Sequence, residues 1–161
     1  AYATRVGAGP LPTELQDAVG DAIRQRGNEF GTTTGRPRRC GWFDAVATSY
    51  AAMFTGPTAL AVLHLDTLSG VDEIKVCVRY KVGGAMLDEF PASASVLEQV
   101  EPVYQTLPGW SDEIGDCRHF GDLPIAARNY VRFLSERLGT AVRIIGVGPS
   151  REQVILVGDE V

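Results

Sequence analysis

Apolar residues recur at helical spacing in three segments of the chain. In the first segment, Leu15, Val19 and Ile23 share one face, and Thr13 precedes them as the predicted helix cap. Asp122 is the predicted cap of the third segment, and Gly139 ends it. The predicted helices cover residues 14–26, 44–54 and 123–138. The predicted buried stripe of the last helix is Ala126, Tyr130, Phe133, Leu134 and Leu138.

Four further segments have the pattern of β-strands. Residues 59–65 form an apolar run, which favours a central strand covered on both faces. Residues 73–82 alternate between apolar and polar positions, which predicts a half-exposed strand, and Gly83-Gly84 predicts a turn after it. Two shorter strands are predicted over residues 141–145 and 153–157. The remaining segments are a Gly/Pro-rich loop at residues 1–12 and a poorly patterned stretch at residues 85–121.

The interleaving of helices and strands predicts the α/β fold class. No linker or repeat divides the sequence, so we expect one unit without an internal boundary. With 45% hydrophobic and 22% charged residues, the composition excludes a disordered chain. The longest apolar run, residues 59–63, is far below the ~20 residues of a membrane span, and we expect no membrane partner. The sequence opens without Met, and we expect a piece of something longer.

Charge and cysteine content narrow the class of protein further. The formal net charge of −5 argues against non-specific binding of nucleic acid, because no net positive field gathers phosphates. The three cysteines lack CxxC spacing, and two histidines are the other soft ligands, so we expect neither a disulfide framework nor a metal site. With no signal peptide pattern, we expect a reducing, cytoplasmic location.

The sequence TTTGRPRR at residues 32–39 is the first candidate for chemistry. Its hydroxyls and guanidinium groups form a donor set for carboxylate or phosphate, and Gly35 allows close backbone approach. A solvated basic loop, or one touching nucleic-acid phosphates, fits the same residues. The acidic chain favours a small anionic ligand over a polymer.

The second candidate is Asp66, which the run 59–65 delivers at its carboxyl end, where ligands bind in open α/β sheets. A carboxylate there can accept hydrogen bonds from the ring N–H and amino group of guanine, a pair that adenine lacks. Asp66 can equally cap a turn, and His64 can equally be a packed core histidine.

Other motifs are weaker or absent. The loop GVGPSR at residues 146–151 resembles half of a dinucleotide fingerprint, but Pro149 removes an N–H, so we expect either a loop lining a base or an ordinary turn. No G-x-x-x-x-G-K-[ST] or G-x-S-x-G sequence occurs. Arg39 could lower the pKa of the Cys40 thiol, yet no histidine follows nearby, and we expect no catalytic cysteine.

Six sequence blocks in this order resemble the adenylosuccinate synthetases, GTP-dependent enzymes that join IMP to aspartate in AMP synthesis. The blocks are TRVGAGPLPTE (4–14), GNEFGTTTGRPRRCGWFD (27–44), LDTLSGVDEIKVCVRY (65–80), EPVYQTLPGW (101–110), LPIAARNYV (123–131) and GVGPSR (146–151). The resemblance extends over essentially the whole chain. It implies the C-terminal part of a larger mixed-sheet fold of the P-loop-like synthetase type.

The resemblance also implies site residues. The family's aspartate-binding loop falls at residues 31–44, and the residues implied for aspartate and IMP are Thr32, Thr33, Thr34, Gly35, Arg36 and Arg38. Arg36 is also implied at the IMP ribose, and Arg38 is also implied toward GTP. The guanine segments fall at residues 63–66 and 146–149, and the residues implied for GTP are Arg38, His64, Leu65, Asp66, Gly146, Val147 and Gly148. Two of these depart from the family pattern, with His64 in place of lysine and Gly146 in place of serine.

The implied reaction transfers the γ-phosphoryl of GTP to O6 of IMP, after which the aspartate amine displaces phosphate. The resemblance places the phosphate loop, catalytic residues and Mg²⁺ ligands outside this chain, so no catalytic residue is expected here and the chain alone is expected to be inactive. A homodimer is implied for the intact protein. Two other hypotheses are a stand-alone nucleotide-binding module and a relative that uses another purine nucleotide.

Overall fold

A computed structural model describes residues 1–158 and 161 of the chain, which form two compact units. The first unit comprises Tyr2–Ala51 and Lys75–Thr106, and the second comprises Ala1, Ala52–Ile74 and the described residues from Leu107 onward. The strands are β1 Ala3–Arg5, β2 Arg39–Gly41, β3 Phe43–Asp44, β4 Leu60–Val62, β5 Val71–Val82, β6 Ala85–Leu87, β7 Glu101–Trp110, β8 Val142–Gly146 and β9 Val154–Leu156. The helices are α1 Ala18–Arg26, α2 Ala45–Thr55, α3 Ala94–Leu97 and α4 Ile125–Leu138. Parallel and antiparallel strand pairs interleave with these helices, which confirms the α/β class.

The first unit begins with a strand where the sequence predicted only loop. β1 pairs antiparallel with β2, with Ala3 opposite Gly41 and Arg5 opposite Arg39. The partner strand is more than thirty residues away in sequence, so no local pattern reveals the pairing. This pairing joins the start of the chain to the end of the Thr/Arg-rich loop.

Helix α1 begins later than the sequence predicted, and Thr13 does not cap it. Leu15 N–H donates to the carbonyl of Cys40 at 2.9 Å, which keeps the chain extended before the helix. The side chain of Asp17 accepts from Gly20 N–H at 3.0 Å and is the true cap. The fully buried Ile23 confirms the predicted apolar face.

The predicted strand at residues 73–82 is confirmed as part of β5. Its alternation places Ile74, Val76 and Tyr80 in the core. β5 pairs parallel with β3 and antiparallel with β6, and β7 also pairs with β5. Gly83 and Gly84 have φ of 56° and 87° and form the predicted turn between β5 and β6, because a two-residue hairpin loop requires positive φ. No element was predicted for residues 85–121, and the structure places β6, α3 and β7 there.

Helix α2 confirms the helix predicted over residues 44–54, and the buried Asp44 lies immediately before it. Asp44 accepts from Ala47 N–H at 3.0 Å and from the Tyr80 hydroxyl at 2.5 Å. Burial raises the pKa of Asp44, and its hydrogen bonds oppose that shift.

The sheet of the second unit has the order β4-β8-β9, with β4 parallel to β8 and β9 antiparallel to it. Val62, Ile145 and Ile155 form a buried row across the three strands. The prediction of a central strand covered on both faces is wrong for the described sheet, because β4 lies at its edge and Leu63 is 50% exposed. An apolar run indicates that a segment has low polarity, but it does not indicate how many strands lie beside it in the sheet.

Helix α4 begins after Pro124, and the prediction that Asp122 caps it is wrong. Asp122 accepts instead from the N–H groups of Arg118 and His119, at 3.1 and 2.9 Å. Gly139, with φ of 62°, ends the helix as predicted. Two members of the predicted stripe are in the observed buried stripe, which comprises Ala127, Tyr130, Val131 and Leu134. Among residues 1–158 and 161, no helix is long and apolar enough to cross a membrane.

Candidate functional site

The segment Thr32–Pro37 is an exposed loop of the first unit, fastened at its base by its own backbone. Gly31 N–H donates to the carbonyl of Arg36 at 2.8 Å, and Gly35 N–H donates to the carbonyl of Gly31 at 2.7 Å. Gly35 has φ of 65° with open space around its Cα, so glycine is favoured here by conformation and not by crowding. The result is an ordered loop with accessible hydroxyls and a guanidinium group.

The end of this loop is held more firmly than its tip. Arg38 N–H donates to the carbonyl of Glu29, and the carbonyl of Arg38 accepts from Arg24 Nε, both at 2.9 Å. Arg38 Nη1 donates to Glu29 Oε2 at 3.1 Å. Arg38 is therefore fixed through both its backbone and its side chain, whereas Arg36 is exposed.

Glu29 is a site residue that the sequence reasoning missed. It is 4% exposed, and its carboxylate also accepts from the hydroxyls of Tyr2 at 2.6 Å and Thr4 at 3.0 Å. The only signal in the sequence was that an acidic residue shortly precedes an arginine-rich loop. The contacts of Glu29 with Tyr2 and Thr4 depend on the pairing of β1 with β2, and the local sequence pattern does not reveal that pairing.

A second arginine of the loop has a structural partner. Arg39 Nε and Nη2 donate to the two carboxylate oxygens of Glu14 at 2.8 and 2.6 Å, and Arg39 Nη1 donates to the carbonyl of Gly9 at 2.6 Å. The stretch 32–39 included Arg39 in its predicted donor set for an anion, whereas the family resemblance did not assign it to a ligand; in the structure this bidentate pair occupies its guanidinium. The adjacent Cys40 is fully buried, and that burial raises the pKa of its thiol, contrary to the lowering that Arg39 suggested.

The Glu14–Arg39 pair predicts a measurable dependence of stability on pH. Its hydrogen bond from Arg39 holds the pKa of Glu14 below 4.5, so the pair stabilises the fold above that value and is lost as pH falls through the lowered pKa. We expect Glu14→Gln to reduce the loss of thermal stability between about pH 5 and pH 3, measured as Tm by circular dichroism. Asp21→Asn, in the exposed pair with Arg24, is the control. An equal decrease of Tm with falling pH in the wild type and in Glu14→Gln would contradict the prediction.

The two segments predicted for guanine meet in the second unit. Leu65 N–H donates to the carbonyl of Gly146 at 3.0 Å. A Cβ on Gly146 would lie 3.1 Å from Leu63 Cδ2 and 3.4 Å from Leu63 Cα, so glycine here permits close approach of the two segments. This arrangement brings residues 63–66 beside the start of the loop at 146–149.

His64 occupies a strained position in this arrangement. Its φ of 59° lies in the left-handed region, which costs an L-residue about 1–2 kcal/mol. The residue is exposed, so the interpretation as a packed core histidine is wrong. Strain of this kind concentrates at functional positions, where neighbouring structure enforces it; here the next residue, Leu65, is held by its hydrogen bond to Gly146.

Asp66 begins a short 3₁₀ turn, Asp66–Leu68, directly after this contact. Ser69 N–H donates to the carbonyl of Asp66 at 3.1 Å, and Leu68 N–H donates to the carbonyl of Leu65 at 3.1 Å. The backbone itself thus closes the turn, while the carboxyl-bearing residue stays half-buried.

Gln153 organises the loop that follows Gly146. Its carbonyl accepts from Val147 N–H at 2.9 Å, its Oε1 accepts from Ser150 N–H at 3.0 Å, and its Nε2 donates to the carbonyl of Gly115 at 3.1 Å. Its side chain also fills the space beside Gly148, where a Cβ would lie 2.3 Å from Gln153 Cδ. The loop has a defined shape, which a base-lining role requires.

The geometry defines a mixed α/β protein with an ordered Thr/Arg loop in one unit and a strand-end aspartate beside a glycine loop in the other. The same fold occurs in the solved structure of fully ligated adenylosuccinate synthetase from Plasmodium falciparum, with a TM-score of 0.94 and 40% identity. That match covers 98% of this chain and 38% of the solved one. Residues 1–155 match the family model of adenylosuccinate synthetase. The chain belongs to the adenylosuccinate synthetase family, which confirms the resemblance seen in the sequence.

Curated relatives agree with this assignment. The chain is 52% identical over 157 residues to adenylosuccinate synthetase of Caldanaerobacter subterraneus subsp. tengcongensis and 54% identical over 157 residues to that of Carboxydothermus hydrogenoformans. Each alignment covers 98% of this chain and 37% of the relative. The chain therefore spans little more than a third of the length of these relatives.

Proposed function

We propose that this chain is the C-terminal portion of a GTP-dependent ligase that joins IMP to L-aspartate and yields adenylosuccinate in purine biosynthesis. Family membership supports the reaction. The observation that carries the role of this portion is the ordered, exposed Thr/Arg loop with Arg38 held behind it by Glu29. Hydroxyls and guanidinium groups in a fixed loop match the two carboxylates of aspartate.

We propose that this loop binds aspartate and orients its amine. Arg36 and Arg38 compensate the charge of the dianion, and the backbone hydrogen bonds of Gly31 and Gly35 fix the loop that carries Arg36. The residues assigned to aspartate and IMP are Thr32, Thr33, Thr34, Gly35, Arg36 and Arg38. Most of the catalytic gain available to such a site is positioning and charge compensation.

We propose that the strand-end segments of the second unit bind the guanine of GTP. Asp66 accepts from the ring N–H and the amino group of the base, and the loop ordered by Gln153 lines it. The residues assigned to GTP are Arg38, His64, Leu65, Asp66, Gly146, Val147 and Gly148. The left-handed His64 fixes the approach of the chain to Asp66.

In the proposed reaction, the γ-phosphoryl group of GTP moves to O6 of IMP, and the aspartate amine then displaces it as phosphate, losing a proton. This chain orients the amino acid and the base. The described residues 1–158 and 161 contain no group of three His, Cys, Asp or Glu side chains that could hold a metal ion. We propose, from the family resemblance, that the ligands of the expected Mg²⁺ lie in the part of the enzyme outside this chain. The sequence also lacks a phosphate loop, and we propose that the chain alone does not turn over substrate. For the intact enzyme we propose a cytoplasmic homodimer with small-molecule substrates and no nucleic-acid partner.

The test compares phosphoryl donors in the intact synthetase that contains this chain. We expect GTP to support adenylosuccinate formation and ATP to support it at least about a hundredfold more slowly, followed by absorbance of the product. The chain alone is expected to give no product under the same conditions. Equal rates with ATP would favour the hypothesis that this protein is a relative of the synthetases that uses another purine nucleotide. His64 in place of lysine and Gly146 in place of serine are the residues that motivate this hypothesis.

A further inference from the structure

A buried carboxylate precedes the aspartate loop and has no role in the proposed reaction. Glu29 is 4% exposed, and it accepts from Tyr2 Oη at 2.6 Å, Thr4 Oγ1 at 3.0 Å and Arg38 Nη1 at 3.1 Å. Burying a carboxylate is costly unless its oxygens are satisfied, and here three donors from two separate segments converge on it. Tyr2 and Thr4 therefore hold Glu29 in place, and the carboxylate also accepts from the guanidinium of Arg38.

Only one edge of the Arg38 guanidinium is used by that contact. Glu29 takes Nη1, while Arg38 Nε is buried and makes no hydrogen bond to any part of the protein that the structure describes. The Arg38 side chain is 34% exposed, so its guanidinium keeps further N–H donors that can reach a carboxylate. The backbone of Arg38 is fixed as well, by Arg24 Nε at 2.9 Å from its carbonyl.

We propose that Glu29 is a positioning residue that orients the Arg38 guanidinium, so that its exposed N–H groups meet a carboxylate of the amino-acid substrate. The inference rests on the proposed function, which assigns Arg38 to aspartate. A guanidinium fixed before the ligand arrives loses less conformational freedom on binding, so its hydrogen bonds contribute more to affinity. Glu29 itself does not touch substrate in this arrangement.

The test is Glu29→Gln in the intact synthetase. Glutamine keeps the volume, its oxygen can accept from Thr4 and Arg38, and its amide can donate to the Tyr2 hydroxyl, so the fold is retained while the charge-assisted bond to Arg38 is lost. We expect KM for aspartate to rise about tenfold, with kcat and KM for IMP changed by less than about twofold. In an Arg38→Ala background, the same substitution is expected to add less than about twofold.

The matched control is Glu14→Gln, which removes the carboxylate of another, half-buried carboxylate–arginine pair in the same unit. It is expected to leave KM for aspartate unchanged. An equal rise in KM for Glu14→Gln, a full additive effect in the Arg38→Ala background, or an unchanged KM in Glu29→Gln would overturn the proposal. If Arg38→Ala and Arg36→Ala themselves leave KM for aspartate unchanged, the proposed function fails, and that result is distinct from a failure of Glu29→Gln alone.

Discussion

Arg36→Ala in the intact synthetase is expected to lower kcat/KM for aspartate about a hundredfold, mainly by raising KM. Arg36 is exposed at the tip of a loop whose base is closed by Gly31 and Gly35. A guanidinium there can form two charge-assisted hydrogen bonds with one carboxylate, and at about 1.5 kcal/mol each their loss corresponds to roughly a hundredfold. Loss of both also leaves the amine less well oriented, so kcat is expected to fall as well.

Two variants separate binding from general effects of charge. Arg36→Lys keeps the charge but cannot form the bidentate pair, and we expect it to recover only part of the lost kcat/KM. Arg79→Ala removes an exposed arginine of the same unit, whose side chain pairs with Asp88 at 2.6 Å, and is expected to leave the kinetics unchanged. Steady-state rates at varied aspartate check all three variants. Unchanged KM and kcat in Arg36→Ala would refute the assignment of this loop to aspartate.

The sequence predicted this loop because its chemistry is local. Residues 31–44 lack periodicity and concentrate hydroxyls and arginines, and the structure contains only the short strands β2 and β3 there. The strand at residues 73–82 was equally predictable. Successive side chains of a strand point to opposite faces, so burial of one face produces an alternation of apolar and polar residues that can be read over ten positions. Both features depend on neighbouring residues alone.

Features that depend on distant partners could not be predicted in this way. Glu29 gains its role from Tyr2 and Thr4, which are 27 and 25 residues away in sequence. The late start of α1 follows from the hydrogen bond between Leu15 and Cys40, in which tertiary pairing competes with helix formation. The left-handed backbone of His64 is another such feature. The next residue, Leu65, is hydrogen-bonded to Gly146 at the end of β8, and the hydropathy pattern does not indicate this contact.

Asp66→Asn is expected to raise KM for GTP about a hundredfold and to shift the base preference of the intact synthetase. The carboxylate of Asp66 offers two acceptors to the two adjacent donors of guanine. Asparagine offers one acceptor and one donor, so its amide N–H faces the amino group of guanine without an acceptor. Xanthine carries a carbonyl in place of that amino group and matches asparagine, so the variant is expected to use xanthosine triphosphate better than the wild type does.

The base preference is the decisive readout, because a structural role for Asp66 would weaken all nucleotides alike. Asp72→Asn, an exposed aspartate on β5 in the same unit, is the matched control and is expected to keep the wild-type preference for GTP. Rates with guanosine and xanthosine triphosphates, each at varied concentration, give the ratio of the two kcat/KM values for each variant. An Asp66→Asn variant that loses activity equally with both nucleotides would show that Asp66 supports the turn at Asp66–Leu68 and does not read the base. A ratio that moves toward xanthosine triphosphate requires direct contact, since only a group facing the 2-position of the base distinguishes a carbonyl from an amine.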